Sequence, residues 1–166
     1  MQKRKKLLIK LLVAVAAVVI LAFLREDLQQ QETAIEKDDS SYASPVADDH
    51  RLLQEFPKRY PERTVLLACA EDISDDGKED LVVISQWGKD IETIALYTAE
   101  DGSLLETPPI PAPRENQRIR FFNMDKAGIM EVLITGEKNG QVGYAIYRIM
   151  HGELINLFGE GMEDCC

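Results

Sequence analysis

Residues 66–85 read LLACAEDISDDGKEDLVVIS, and residues 118–136 read RIRFFNMDKAGIMEVLITG. Each is an apolar run, a polar loop with a central glycine, and a second apolar run. Each is followed by a further matching stretch, IALYTAEDGSLLE at 94–106 and YAIYRIMHGELIN at 144–156. Asp72 corresponds to Asn123 at an offset of 51, and Tyr97 to Tyr147, Gly102 to Gly152 and Leu104 to Leu154 at 50. Self-similarity at this period marks a repeated supersecondary unit. Three or four strands per copy predict two propeller-blade-like antiparallel β repeats. Two blades cannot close a ring, so they must pack on each other or on the preceding segment 51–63 to cover their edges.

Working outward, short β-type runs bounded by turn signals occupy Thr64–Ala70, Leu81–Gln86, Ile91–Ala99, Arg118–Asn123, Glu131–Gly136, Val142–Met150 and Glu153–Phe158. No long helical period interrupts them, so the fold class is mainly β, with a two-repeat domain over residues 64–158. Before it, RLLQEFPKRYPERT at 51–64 places Leu52, Leu53 and Phe56 at the spacing of a short amphipathic helix, which Pro57 and Pro61 should break. Residues 25–50 are polar, with Leu28 and Ile35 the only large aliphatic side chains, and residues 25–63 as a whole read as a stalk.

Residues 7–24, LLIKLLVAVAAVVILAFL, are apolar apart from Lys10. As a helix they reach about 27 Å, close to a hydrocarbon core of roughly 30 Å. Lys10 can snorkel back to the headgroups with Lys5 and Lys6. A cleaved secretory signal has the same basic flank and apolar core. Here the run passes from Ala22-Phe23-Leu24 into Arg25-Glu26-Asp27 with no small-residue cleavage site. No cysteine follows it that would carry a lipid. The expectation is therefore an uncleaved signal-anchor over 1–24 in the cell membrane, single-pass, N-terminus cytoplasmic and domain on the outer face.

The charge supports this division. The chain has 166 residues and a formal net charge of −10, yet residues 26–166 carry 13 Lys and Arg against 29 Asp and Glu, a formal −16. So acidic a body will not hold a nucleic-acid backbone. Two histidines, His50 and His151, leave little for a multi-histidine metal site or a Ser-His-Asp triad. No phosphate loop is visible, and no hydrolase or transferase is predicted.

The loop Asp72-Ile73-Ser74-Asp75-Asp76-Gly77-Lys78-Glu79-Asp80 carries oxygen donors at its positions 1, 3, 5 and 9, with Gly77 at position 6 and a strand following. Calcium takes six to eight hard oxygens, and alternate loop positions turn such donors inward. The alternative is a solvated acidic turn. In these residues the loop resembles the calcium loops of FG-GAP and VCBS-type β repeats. That resemblance implies one calcium ion held by the side chains of Asp72, Ser74, Asp76 and Asp80 and the carbonyl of Lys78. Ser74 stands where Asp or Asn is usual. The second copy keeps Asn123, Asp125, Gly128 and Glu131, but Ala127 removes its position-5 donor, so that copy reads as a turn.

The three cysteines are Cys69, Cys165 and Cys166. Cys69 lies in an apolar run and reads as a small buried hydrophobe. Cys165 and Cys166 close the sequence on what reads as a mobile tail, 159–166. A disulfide between adjacent cysteines is strained, so the dithiol form should be accessible. Two thiolates on one tail can share a soft cation, and such ligands select soft metals over calcium or magnesium. Glu160, Glu163, Asp164 and the terminal carboxylate should raise the thiol pKa values, which a bound soft metal would override. A protective disulfide, or no role at all, are the plain alternatives.

A small protein with a membrane tether and the ending GEGMEDCC, its most distinctive mark, resembles the Cys-Cys-COOH (seleno)protein family, SaoC-type. In that family the last cysteine can be selenocysteine, and the genes accompany transport components, a thioredoxin-like protein and a relative of organomercurial lyases. The resemblance implies handling of a thiophilic metal as cargo, mercury or an organomercurial, by Cys165 and Cys166. Three functions follow from the sequence: thiophilic-metal capture and transfer, thiol-disulfide exchange with a thioredoxin-like partner, or a calcium-stabilised interaction module with incidental cysteines.

Overall fold

The computed structural model describes residues 42–126 and 128–166. The signal-anchor read over 1–24, the stalk as far as residue 41, and Ala127 lie outside the described residues. Among the described residues no helix is long and apolar enough to cross a membrane.

The element order is α1 (Arg51–Arg59), β1 (Thr64–Glu71), β2 (Asp80–Trp87), β3 (Asp90–Thr98), β4 (Leu104–Glu106), β5 (Ile110–Pro111), β6 (Glu115–Phe122), β7 (Glu131–Lys138), β8 (Gln141–Met150), β9 (Glu153–Glu160) and α2 (Met162–Cys165). The domain is mainly β, in two antiparallel sheets. The first runs β1-β2-β3-β4, with β5 also paired to β3, and the second runs β6-β7-β8-β9. Each sheet is a meander of sequential neighbours, so its registers are set by its connecting turns. Asn139-Gly140 and His151-Gly152 both carry positive φ in the two-residue turns after β7 and β8. The backbone repeats as the sequence does. Asp75 and Lys126, 51 residues apart, have φ of 60° and 58°, and Gly77 and Gly128 have 78° and 94°.

Period-2 alternation divides the core. On β2, Val82 and Ile84 pack with Ile119, Val132, Ile134 and Ala145 of the second sheet, while Leu81 and Val83 face the opposite way. That opposite face meets α1. Leu52 and Phe56, one turn apart, are fully buried against Ala68, Leu81, Val83, Ile94 and Leu96.

Three features differ from the sequence reading. Pro57 does not break the helix, which continues to Arg59 and ends where the Tyr60 N–H donates to the Phe56 carbonyl at 2.9 Å. Pro57 is exposed near the end of α1, where a lost backbone bond is solvated and costs little. The segment read as the end of a stalk is part of the domain. The Ala43 N–H donates to the Ile119 carbonyl and the Val46 N–H to the Ala68 carbonyl, both within 2.9 Å, so residues 43–46 cap the outer edges of β6 and β1. And where a mobile tail is expected at 159–166, β9 runs on to Glu160 and α2 packs against β8 and β7.

Candidate functional site

The chain leaves β9 through Gly161, whose φ of 69° turns it back over the sheet. The Gly161 carbonyl then accepts the N–H groups of Asp164 and Cys165, each at 3.2 Å, which closes the single turn of α2. That turn lies close on β8. A Cβ on Gly143 would stand 2.5 Å from Cys165 Sγ, and a Cβ on Gly161 would stand 2.6 Å from the Val142 carbonyl oxygen. Only glycine fits either place. The end of the turn is held from both sides: the Arg114 N–H donates to the Cys165 carbonyl at 3.1 Å, and Lys138 Nζ donates to the Cys166 carbonyl at 3.3 Å.

Three sulfur atoms converge there. Cys165 Sγ is 3.4 Å from Cys166 Sγ, and Met162 Sδ is 3.8 Å from the first and 4.0 Å from the second. All three cysteines of the chain are free thiols. Cys165 is fully buried and Cys166 half-buried. Burial pushes the Cys166 thiol up to about 12, the Cys165 thiol adds to the rise, and Lys138 and Arg114 oppose it. The leading causes are therefore burial and the neighbouring sulfur, not the acidic residues of the tail; Glu163 and Asp164 are exposed. Burial, with Cys166 and Cys165 nearby, also raises the Tyr147 phenol to about 12, so it is un-ionised at neutral pH. The arrangement is a half-closed nest of soft donors in which the Cys166 thiol keeps its proton at neutral pH.

Cys69 is fully buried in the core shared by the sheets, 3.7 Å from the Ala43 carbonyl oxygen, and burial lifts its thiol to about 11. Thiols of this kind pack as small hydrophobes.

The first acidic loop folds around its own backbone. Asp72 accepts the N–H groups of Asp76 at 3.1 Å and Gly77 at 2.9 Å, and Asp80 Oδ2 accepts those of Ile73 at 3.1 Å and Ser74 at 2.9 Å. Asp76 accepts the Lys78 N–H at 2.9 Å and pairs with Lys78 Nζ at 3.1 Å. Asp80 is fully buried, and its Oδ1 has no hydrogen-bond donor. Burial raises its carboxyl, Ser74 opposes the rise, and Asp76 and Asp72 add to it. Among the described residues no three His, Cys, Asp or Glu side chains converge as a metal centre.

The second loop is built differently. Glu131, also fully buried, accepts the Met124 N–H at 2.7 Å, and the Arg148 guanidinium bridges Glu131 and Asp125, the latter at 2.7 Å. Here a side-chain cation neutralises the loop. Met162 and Arg148 are absent from the sequence reading of these sites.

Comparison with protein-family models, with curated proteins and with solved structures returns no match.

Proposed function

We propose that this chain is a membrane-anchored extracytoplasmic protein that captures or transfers a thiophilic metal, mercury or an organomercurial, through Cys165 and Cys166. The observation that carries the reading is the pair of free thiols 3.4 Å apart on one turn. Soft thiolates favour soft d10 cations, and binding such an ion displaces the thiol protons. In this reading residues 1–24 are the uncleaved signal-anchor, and two blade-like repeats carry the site. Transport components or a thioredoxin-like protein would receive the metal. The test is a mercury(II) titration of the reduced full chain in detergent. One ion per chain is expected, lost in Cys165→Ser and Cys166→Ser and retained in Cys69→Ala. If all three variants bind like the parent, the metal reading fails and thiol-disulfide exchange takes its place. Sequencing of the mature protein tests the anchor, since a new N-terminus between residues 20 and 48 would refute it.

A second reading concerns the first loop, as one calcium site formed by Asp72, Ser74, Asp76 and Asp80 with the Lys78 carbonyl. Its support is the buried Asp80 Oδ1 left without a donor, where the second repeat supplies Arg148 to the corresponding Glu131. A buried carboxylate oxygen without a partner is costly, and a bound cation would relieve it.

A further inference from the structure

Met162 opens α2 and Cys165 closes it at i+3, the spacing that sets side chains on a common face, and Cys166 follows as the cap of the turn. The turn is held in place by Gly143 beneath it and by the Arg114 and Lys138 hydrogen bonds at its end. Met162 also packs partly buried against the core shared by the two sheets, so its backbone and side chain are both held. A free tail would give a two-sulfur chelate with a thioether nowhere in particular. This turn instead brings the thioether to within 3.8 and 4.0 Å of the thiols.

We infer that Met162 is the third donor of the site, and that the site is built for a soft cation of low coordination number held by two thiolates and one thioether. This rests on the thiophilic-metal reading and deepens it. The donor set separates metals by class. Zinc is held in tetrahedral sites by thiolate, imidazole and carboxylate, and among the described residues no third Cys, His, Asp or Glu side chain converges with the two thiols. Copper(I) accepts thiolate and thioether alike and is satisfied by three sulfurs. Binding is proton-balanced: a soft cation, copper(I) or mercury(II), and two thiols give a dithiolate complex and two released protons, the thioether contributes a lone pair only, and no electron is transferred.

The experiment loads the reduced full chain in detergent with copper(I) and measures the sulfur shell by X-ray absorption and the affinity by competition with a colorimetric chelator. Three sulfur scatterers are expected in the parent and two in Met162→Leu, with an affinity loss of about tenfold or more, the scale on which a supporting partner counts in a metal site. Zinc should bind more weakly than copper(I) and be indifferent to Met162→Leu. A parent shell of only two sulfurs overturns the inference without recourse to any variant. So does an unchanged affinity in Met162→Leu when Cys165→Ser and Cys166→Ser have lost binding, and the thiophilic reading then survives alone. If the cysteine variants keep full affinity, it is that reading which has failed.

Discussion

Cys165 Sγ rests against the α-carbon of Gly143, so close that a single added methyl group would overlap the sulfur. This contact couples the second sheet to the turn that carries the thiols. β8 faces Gly143, Ala145, Tyr147 and Ile149 inward, and at Gly143 the missing side chain leaves the notch that Cys165 fills.

Gly143→Ala should therefore lift α2 off the sheet. The introduced Cβ would stand 2.5 Å from Cys165 Sγ and 2.7 Å from the backbone carbon of Gly161, so neither thiol nor backbone can stay where it is. Overpacking of this kind costs about 1–3 kcal/mol. The more telling outcome is chemical: Cys165, fully buried in the parent, should react with an alkylating reagent at a rate near that of an exposed thiol. Unchanged protection in the variant would show that α2 tolerates the methyl group.

Phe56→Ala tests whether the segment before the sheets belongs to the fold. Phe56 is fully buried beside Leu52 against the face of the first sheet that points away from the second. Emptying such a site costs about 3–5 kcal/mol. Denaturant unfolding should show a loss of that size, with the midpoint falling at unchanged slope. A loss below 1 kcal/mol would be that of a surface residue and would return α1 to the stalk.

What the sequence discloses and what it hides follow from range. The strands of both sheets announce themselves through alternation and glycine turns, which are local signals. β4 and β5, of three and two residues, are too short to show any period. Residues 43–46 are too few to show a hydrophobic period: Ala43 and Val46 each pack against a core, and their backbone N–H groups bond to two different strand edges. Met162 stands at helical spacing from Cys165 and Cys166, but that spacing is informative only once the tail is known to turn. Arg148 lies 17 residues beyond Glu131, and only the β7–β8 register, which pairs the two positions directly, reveals it as the partner. Leu81 pairs with Leu96 in the first sheet, so the neighbouring position there is Tyr97, an uncharged residue.

That difference predicts calcium binding in one loop only. Calorimetry should find at most one site, abolished by Asp76→Ala and by Asp80→Asn. The sign of the pH effect follows from Asp80. Its folded pKa is raised, so without metal its ionisation costs stability, and that cost grows as pH rises from the unfolded carboxylate value through the folded one. Asp80→Asn should accordingly remove the loss at neutral pH in chelator and abolish any gain from added calcium. Two sites of equal affinity would contradict the asymmetry between the loops.

The same linkage runs with the opposite sign at Glu131. Burial pushes this carboxyl up, but the Met124 N–H and the Arg148 guanidinium outweigh it and hold it below the usual carboxylate range. A depressed carboxyl contributes stability above its unfolded pKa of about 4.3 and loses it as pH falls through the lower folded value. Arg148→Met keeps the side chain's apolar reach but leaves a buried carboxylate without its cation, the arrangement that destabilises more than removal of both charges. The variant should unfold at a lower temperature than the parent at pH 7, and the gap should narrow as the solution is acidified below the ordinary glutamate range. Adding Glu131→Gln to Arg148→Met should recover part of the loss, since the amide can still accept the Met124 N–H without a charge to neutralise. A gap between Arg148→Met and the parent that stays constant from pH 7 down to pH 3 would mean that Arg148 acts through packing, and that the second loop does not depend on its guanidinium as a built-in cation.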